Sequence, residues 1–365
     1  MYGFRKKDFL YGGIITVIIV SIAFLLALIG LSTKVFDPIG LALDEFQLSD
    51  GFFYSNSTRR APENDAIPGI VIVDIESCDS RAEITGIVEA INEAGPKALA
   101  VDIIFGNHKS SSAQEDSALV AAFKESPCLI LAQRNELEED GWHTERSFFA
   151  DEIECFEGDV SFSPGMVRTF NSSIEVDGKQ VPSFISLIAD KAGLEESPGE
   201  KLINFSPVKT ITLKPDLANA AELLKDQIVI LGDSGDLRDF HNIPVLIKGR
   251  PRTSGINLIA QCLYTLRPDN QFYTCPEWLS AITGLILTYL FCAFIAAPLY
   301  RKEKFNGLWI SIWQVAVLIV LIIITYTIFW VFHFYMPLKY WLIGVGLSGF
   351  ATELFYFIKP KICRS

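Results

Sequence analysis

The sequence predicts an α/β domain, a parallel or mixed sheet with helices on both faces, combined with a four-helix transmembrane region. Three observations predict it. Half of the 365 residues are apolar, and four apolar runs are each long enough to cross a bilayer. Between the first and second runs, near-continuous apolar strands alternate with amphipathic helices, the pattern of a sheet buried on both faces.

The first run, Phe9 to Leu31, follows Arg5, Lys6 and Lys7. A cleaved signal peptide is the rival, but the run is too long for a signal core and LALIGLSTKVF offers no small-x-small cleavage site, so an uncleaved anchor is expected. From Ile70, IVIVDI is a strand ending in an acid, and SRAEITGIVEAINEAG is an amphipathic helix closed by Gly95 and Pro96. ALAVDIIF (Ala98 to Phe105) is a second strand, and EDSALVAAFKES with CLILAQ repeats the helix-and-strand unit. Between about Asn135 and Val181 the pattern loosens into acids and the turn signal VDGK, an inserted irregular or hairpin region. PSFISLIADKAG is helical, KLINFS is a strand, QIVILGD is the last apolar strand, and SGINLIAQCLYTL (Ser254 to Leu266) has apolar residues at helical spacing.

The remaining runs are Trp278 to Tyr300, Leu308 to Phe332 and Leu338 to Ile358. The three basic clusters beside the runs, Arg5 to Lys7, Arg301 to Lys304, and Lys359 onward, fall on one side under a four-span topology, while the short turn between the third and fourth runs carries only Lys339. By the positive-inside rule residues 1–8 and 359–365 are cytoplasmic and residues 32–277 are extracytoplasmic. Lys34 to Glu277 holds 40 acidic and 21 basic residues, a balance of −19, against +7 elsewhere. An acidic exterior excludes nucleic acid and anionic headgroups as partners.

Cys78, Cys128, Cys155, Cys262 and Cys275 fall in the outer segment with no framework or zinc spacing, so free thiols are expected, with a Cys262–Cys275 pair as the alternative. His108, His143, His241 and His333 are scattered, and no metal site is expected. Without a Walker loop or Gly-x-Gly-x-x-Gly motif, no nucleotide or other cofactor is expected.

The stretch IVILGDSGDLRDFHNIP, from Ile228, admits three readings. Ser234 on a strand-to-helix turn is superficially like the first block of GDS-type esterases. That scheme needs most of a domain after the serine, and only about 40 residues precede the next apolar run. His241 also lies too near on the same loop. An anion cradle of the Gly232, Ser234 and Gly235 N–H groups is opposed by Asp233, Asp236 and Asp239. A strand end with a tight polar loop is the plain reading. Because ligand sites of open α/β sheets lie beyond the strands' carboxyl ends, Asp74, Glu76, Asp102, Phe105, Asp233, Ser234 and Asp239 are the candidate site, with Arg81 and Arg238 as partners. Such carboxylates suit calcium or a basic ligand, or serve as caps and salt bridges.

In the last run Gly344, Ser348 and Thr352 form a small-residue stripe that permits close helix contact. Glu353 is the acid nearest a span interior, placed to pair with Lys359 or with a partner's base. With Arg301 and Lys302 these residues form the expected packing and partner-contact set.

KALAVDIIFGNHKSSSAQEDSALVAAF, LLKDQIVILGDSGDLRDFHNIPV and SGINLIAQCLYTL together resemble the second CHASE class, extracellular sensory domains associated with cyclases and histidine kinases. The resemblance covers most of Ala61 to Leu266 and extends to one span before the sensor and three after it. It implies a bacterial plasma-membrane sensor. Family members typically continue into a kinase or cyclase, whereas this sequence stops soon after Ile358. The expectation is a non-catalytic sensor or anchor subunit that signals to a separately encoded cytoplasmic or membrane effector. The alternative is a structural scaffold with no ligand of its own. The partners implied are that effector, the lipid bilayer and a second copy of the chain.

Overall fold

A computed structural model of the chain describes residues 6–32, 50–51, 53–54, 66–106, 112–139, 141–194, 198–205, 209–215, 220–247, 250–300 and 306–362. Arg301, Lys302 and His108 lie outside the described residues. The chain forms two compact units, Ser49–Phe272 and the combination of Met1–Leu48 with Tyr273–Ser365.

Within Ser49–Phe272 the described strands are β1 (Ala66–Asp74), β2 (Ala98–Asp102), β3 (Leu129–Glu138), β4 (Gly141–Glu145), β5 (Phe156–Asp159), β6 (Thr169–Asn171), β7 (Ser173–Val176), β8 (Lys179–Pro182), β9 (Glu200–Leu202), β10 (Lys209–Leu213), β11 (Ile228–Gly232), β12 (Phe240–Ile247) and β13 (Arg250–Ser254). The main sheet runs β10-β1-β11-β2-β3-β4, with β5 also paired to β3. Only the β3–β4 pair is antiparallel. This is the mixed α/β sheet that the alternating pattern predicts.

Alternate residues of these strands serve opposite faces. Val71, Val73, Leu99, Val101, Leu131, Val229 and Leu231 share one core with Phe123, Phe149 and the buried residues of α2 (Arg81–Ala94) and α3 (Ala113–Lys124). Ile70, Ile72, Ile228 and Ile230 are equally buried on the other face. There α4 (Phe184–Ala192) and α5 (Gly255–Thr265) come so close that a Cβ on Gly158 would lie 2.5 Å from Phe184 Cα, and one on Gly232 would lie 2.7 Å from Ile256 Cδ1. Each such buried aliphatic side chain contributes about 1.5–3 kcal/mol, so the two-faced core outweighs any single polar contact of the sheet. The helices start where the sequence supplies a cap: Ser80 accepts from Glu83 N–H and Ser112 from Glu115 N–H. Gly95 ends α2 in the left-handed conformation at φ 70°.

The second apolar strand ends at Asp102, three residues before its expected end at Phe105. Beyond it the Phe105 N–H donates to Ser147 Oγ and the ring joins Phe123 and Phe149 in the core. The loosened region from Asn135 to Val181 holds hairpins, including β7–β8 around Asp177 and Gly178, but also β5, which adds a parallel strand to the main sheet. Cys275 is a free thiol, so no Cys262–Cys275 pair forms.

The other unit contains α1 (Lys6–Ser32), α6 (Glu277–Phe291), α7 (Asn306–Phe332) and α8 (Lys339–Ile362), with the short strands β14 (Tyr273–Thr274) and β15 (Phe334–Tyr335). Four helices here are long and apolar enough to cross a membrane. α6 continues through a π turn, Cys292–Ala296, to Tyr300. Pro298 explains the wide turn, because its ring and missing N–H disfavour regular helix at that point. Close packing in this unit depends on glycine: a Cβ on Gly12 would lie 2.7 Å from Ala293 Cα, and one on Gly284 would lie 2.9 Å from Tyr340 Cβ.

Candidate functional site

β1, β11 and β2 end in register, so Asp74, Gly232 and Asp102 form one row across the carboxyl edge of the sheet. The chain leaves β1 and β2 toward α2 and α3 on one face, but α5, which follows β11, packs on the other. Crevices in open α/β sheets form where neighbouring connections depart to opposite faces, and this row straddles two such points. Gly232 lets Ile256 sit between the two carboxylates. Two environments result.

Asp74 is 3% exposed and fully occupied. Its Oδ1 accepts the N–H groups of Glu76 and Ser234, each at 3.1 Å, and its Oδ2 accepts Ser234 Oγ at 2.7 Å and Lys214 Nζ at 2.8 Å. Burial pushes this carboxyl up, but Lys214, the Ser234 hydroxyl and the two N–H groups together outweigh it and hold it below the ordinary carboxylate value. Lys214 stays largely in water and also reaches Glu76 at 3.5 Å. Glu76 lies over the loop because residue 235 is glycine; a Cβ there would meet its carboxylate at 2.7 Å. Asp233 accepts the Gly235 N–H at 2.7 Å and Asp236 the Arg238 N–H at 2.9 Å. The Gly-rich stretch is thus a polar loop built around Asp74.

Asp102 differs in every respect. It is half-buried, and among the described residues nothing donates a hydrogen bond to it. Burial first, and the nearby charge of Asp239 second, push its carboxyl up to about 7, with Arg134 pulling the other way. Asp239 itself caps α5 by accepting the Gly255 N–H at 2.9 Å, and its Oδ1 is 3.5 Å from His241 Nε2. Arg134 lies 3.8 Å from Glu145 and 3.9 Å from Glu136.

The structure therefore brings together Asp74, Glu76, Asp233 and Ser234 on one side of Gly232, and Asp102 with Asp239 on the other. Arg81 and Phe105 stand apart from both. Arg81 pairs with Asp116 and the Gly106 carbonyl and lies 5.1 Å above the Phe148 ring, and Phe105 is a core aromatic. Arg238 is almost wholly in water and meets Asp236. Among the described residues no group of three or more His, Cys, Asp or Glu side chains is arranged to hold a metal ion. Lys214, Arg134 and Gly255 belong to the site and were missed by the sequence reading. The alternation of TITL before Lys214 marks a strand end and was the available signal.

Gly344, Ser348 and Thr352 lie inside the helical unit. A Cβ on Gly344 would collide with Thr288, and both hydroxyls are fully buried, bonded to the carbonyls of Val345 and Ser348 respectively. Glu353 points away from them, and Lys359 lies over the Tyr11 ring at 3.9 Å, not against Glu353.

The CHASE2 domain model matches residues 19–296, about three quarters of the chain. No curated protein and no solved structure matches it. On the match over residues 19–296 the chain belongs to the CHASE2 family of sensory extracellular domains.

Proposed function

We propose that this chain is a non-catalytic sensor subunit of a bacterial plasma membrane. Its α/β domain lies outside, the four apolar helices cross the bilayer with both termini inside, and the state of the domain passes through them to a separately encoded effector. The observation that carries this reading is a CHASE2 domain continuous at both ends with helices long and apolar enough to span a membrane. A change at the strand-end row then has a covalent route to the bilayer in both chain directions, and a helix shift of an Å or two is enough to bias a bistable partner.

Ser234 supports the non-catalytic part. A serine nucleophile needs a base that withdraws its proton, but this hydroxyl donates to the Asp74 carboxylate, whose pKa is held below the ordinary value and which is therefore a weak base. His241 is turned toward Asp239. The test is purification of the tagged full chain from its native host in mild detergent, with mass spectrometry of what accompanies it. A stoichiometric protein bearing a cytoplasmic catalytic domain is expected. A chain that purifies alone from membranes in which signalling is active overturns the relay.

A further inference from the structure

The last helix, α8, turns one face away from its own bundle. Ile343, Gly346, Phe350, Glu353 and Phe357 are exposed, and their spacing of three and four residues makes them one stripe. The stretches Phe9 to Leu25, Trp278 to Tyr300 and Leu308 to Phe332 of the other spans contain no Asp, Glu, Lys or Arg. A carboxylate on an outward, otherwise apolar face is therefore specific to α8.

At two positions of the stripe the bundle makes no use of the side-chain direction, although the Gly346 carbonyl accepts from Gln314 Nε2 at 3.0 Å. No hydrogen bond or ion pair among the described residues reaches the Glu353 carboxylate. Lys359, six residues on and roughly 9 Å along the axis, lies 3.9 Å from the centre of the Tyr11 ring and 5.3 Å from that of Tyr356. Gly346 is the second. A Cβ there would meet nothing within 4 Å, whereas one on Gly349 would lie 2.8 Å from Gln314 Oε1 and one on Gly344 would collide with Thr288. Glycine weakens a helix interior relative to alanine, and a glycine that its own packing does not need is suited to the close approach of another helix. A carboxylate facing hydrocarbon is unfavourable until it meets a cation.

We propose that Gly346, Phe350 and Glu353 form the docking face for a transmembrane helix of a different protein, one that carries a lysine or arginine level with Glu353. This rests on the reading of α8 as a membrane span. A second copy of this chain does not fit as the occupant. A two-fold contact through the stripe sets Glu353 against Glu353, and the other spans offer no cation at that depth. The complementary charge comes from another sequence, and the glycine gives that helix room beside Phe350.

The test places a photocrosslinking benzoylphenylalanine at Phe350 of the full chain in membranes of its native host, with Leu285 on α6 as the control position. An adduct is expected from position 350 and not from 285, joined to a membrane segment of another protein with a Lys or Arg within one turn of the contact. Glu353→Gln lowers the adduct yield about tenfold, the scale of a polar contact between helices in a bilayer, and Gly346→Leu lowers it as well. Exchanging the charges, Glu353→Lys with the partner's base changed to Glu, restores it. Adducts to a second copy or to lipid alone, a contact segment without a base, or a yield indifferent to Glu353→Gln each overturn the proposal. Gly346→Cys, in a chain whose seven natural cysteines are replaced by alanine, is expected to resist impermeant maleimide from both sides of the same membranes. Labelling from either side overturns the span reading, a failure distinct from that of the partner.

Discussion

Asp74 and Asp102 stand two strands apart on the same sheet edge, and their surroundings set opposite pH behaviour. Asp74 is held below its ordinary value of 3.8, so its contribution to stability is complete above that pH and is lost as pH falls through the lower folded-state value. Asp102 is raised from 3.8 to about 7. Between those values the folded protein keeps a proton that the unfolded chain has released, so stability falls as pH rises through this window and stays reduced above it. Asp102→Asn removes that penalty. The expected result is a gain of about 2 kcal/mol at pH 8, roughly half the full linkage because the group keeps part of its surface in water, and little change at pH 4. Asp74→Asn is expected to destabilise by about 1.5–3 kcal/mol at pH 7, the worth of hydrogen bonds to a charged group. Pulse proteolysis of the full chain in urea at the two pH values reads both. A pH-independent Asp102→Asn effect would show that the carboxyl does not titrate in that window.

At the scale of elements, α5 is positioned by its first residue. The Gly255 N–H caps onto Asp239, and a side chain at 255 would occupy the space of that carboxylate. Gly255→Ala is expected to displace Asp239, uncap the helix and cost about 1–3 kcal/mol. Because the displaced charge is one that raises the Asp102 pKa, the variant also moves that titration downward, measurable from the carboxyl chemical shift of Asp102. A helix that lost stability with the titration unmoved would separate the cap from the electrostatics. Elements with one dominant signal were legible in the sequence: the apolar runs at Ile70 and Ile228, the capped and glycine-closed α2, the SGINL start of α5 and the four long helices. β5 was not, because FEGD has no apolar run and gains its place only by pairing with the edge of β3. Nor was the β12–β13 hairpin, whose strands hold each other across register shifts instead of by alternation. The strand-end acids could be gathered by rule, but the division of the site by Gly232 and Ile256, and the removal of Arg81 and Phe105 from it, depend on which face each residue occupies and on packing from a helix far along the chain.

For the whole molecule, the distribution of charge sets the orientation, and orientation decides whether a sensor and its output sit on opposite sides of a membrane. Lys6 and Lys7 open the first apolar helix, while Lys339, the first residue of α8, pairs with Glu277. A cation so paired is a weaker retention signal than a cluster of basic residues such as the one at the start of the chain. The net −19 of the segment between the first two helices fits an exterior free of anionic lipid contact. Single cysteines test the arrangement in a chain whose seven natural cysteines are replaced by alanine. Leu237→Cys on an exposed loop and His333→Cys in the α7–α8 turn are expected to react with impermeant maleimide in intact cells, and Lys6→Cys only after permeabilisation. If Leu237→Cys labels only after permeabilisation, the domain faces inward and the strand-end row reads an internal ligand. If Leu237→Cys and Lys6→Cys both label from outside, the first helix does not cross. The domain would then reach the bilayer through α6 alone, and a relay that depends on two covalent routes would lose one of them.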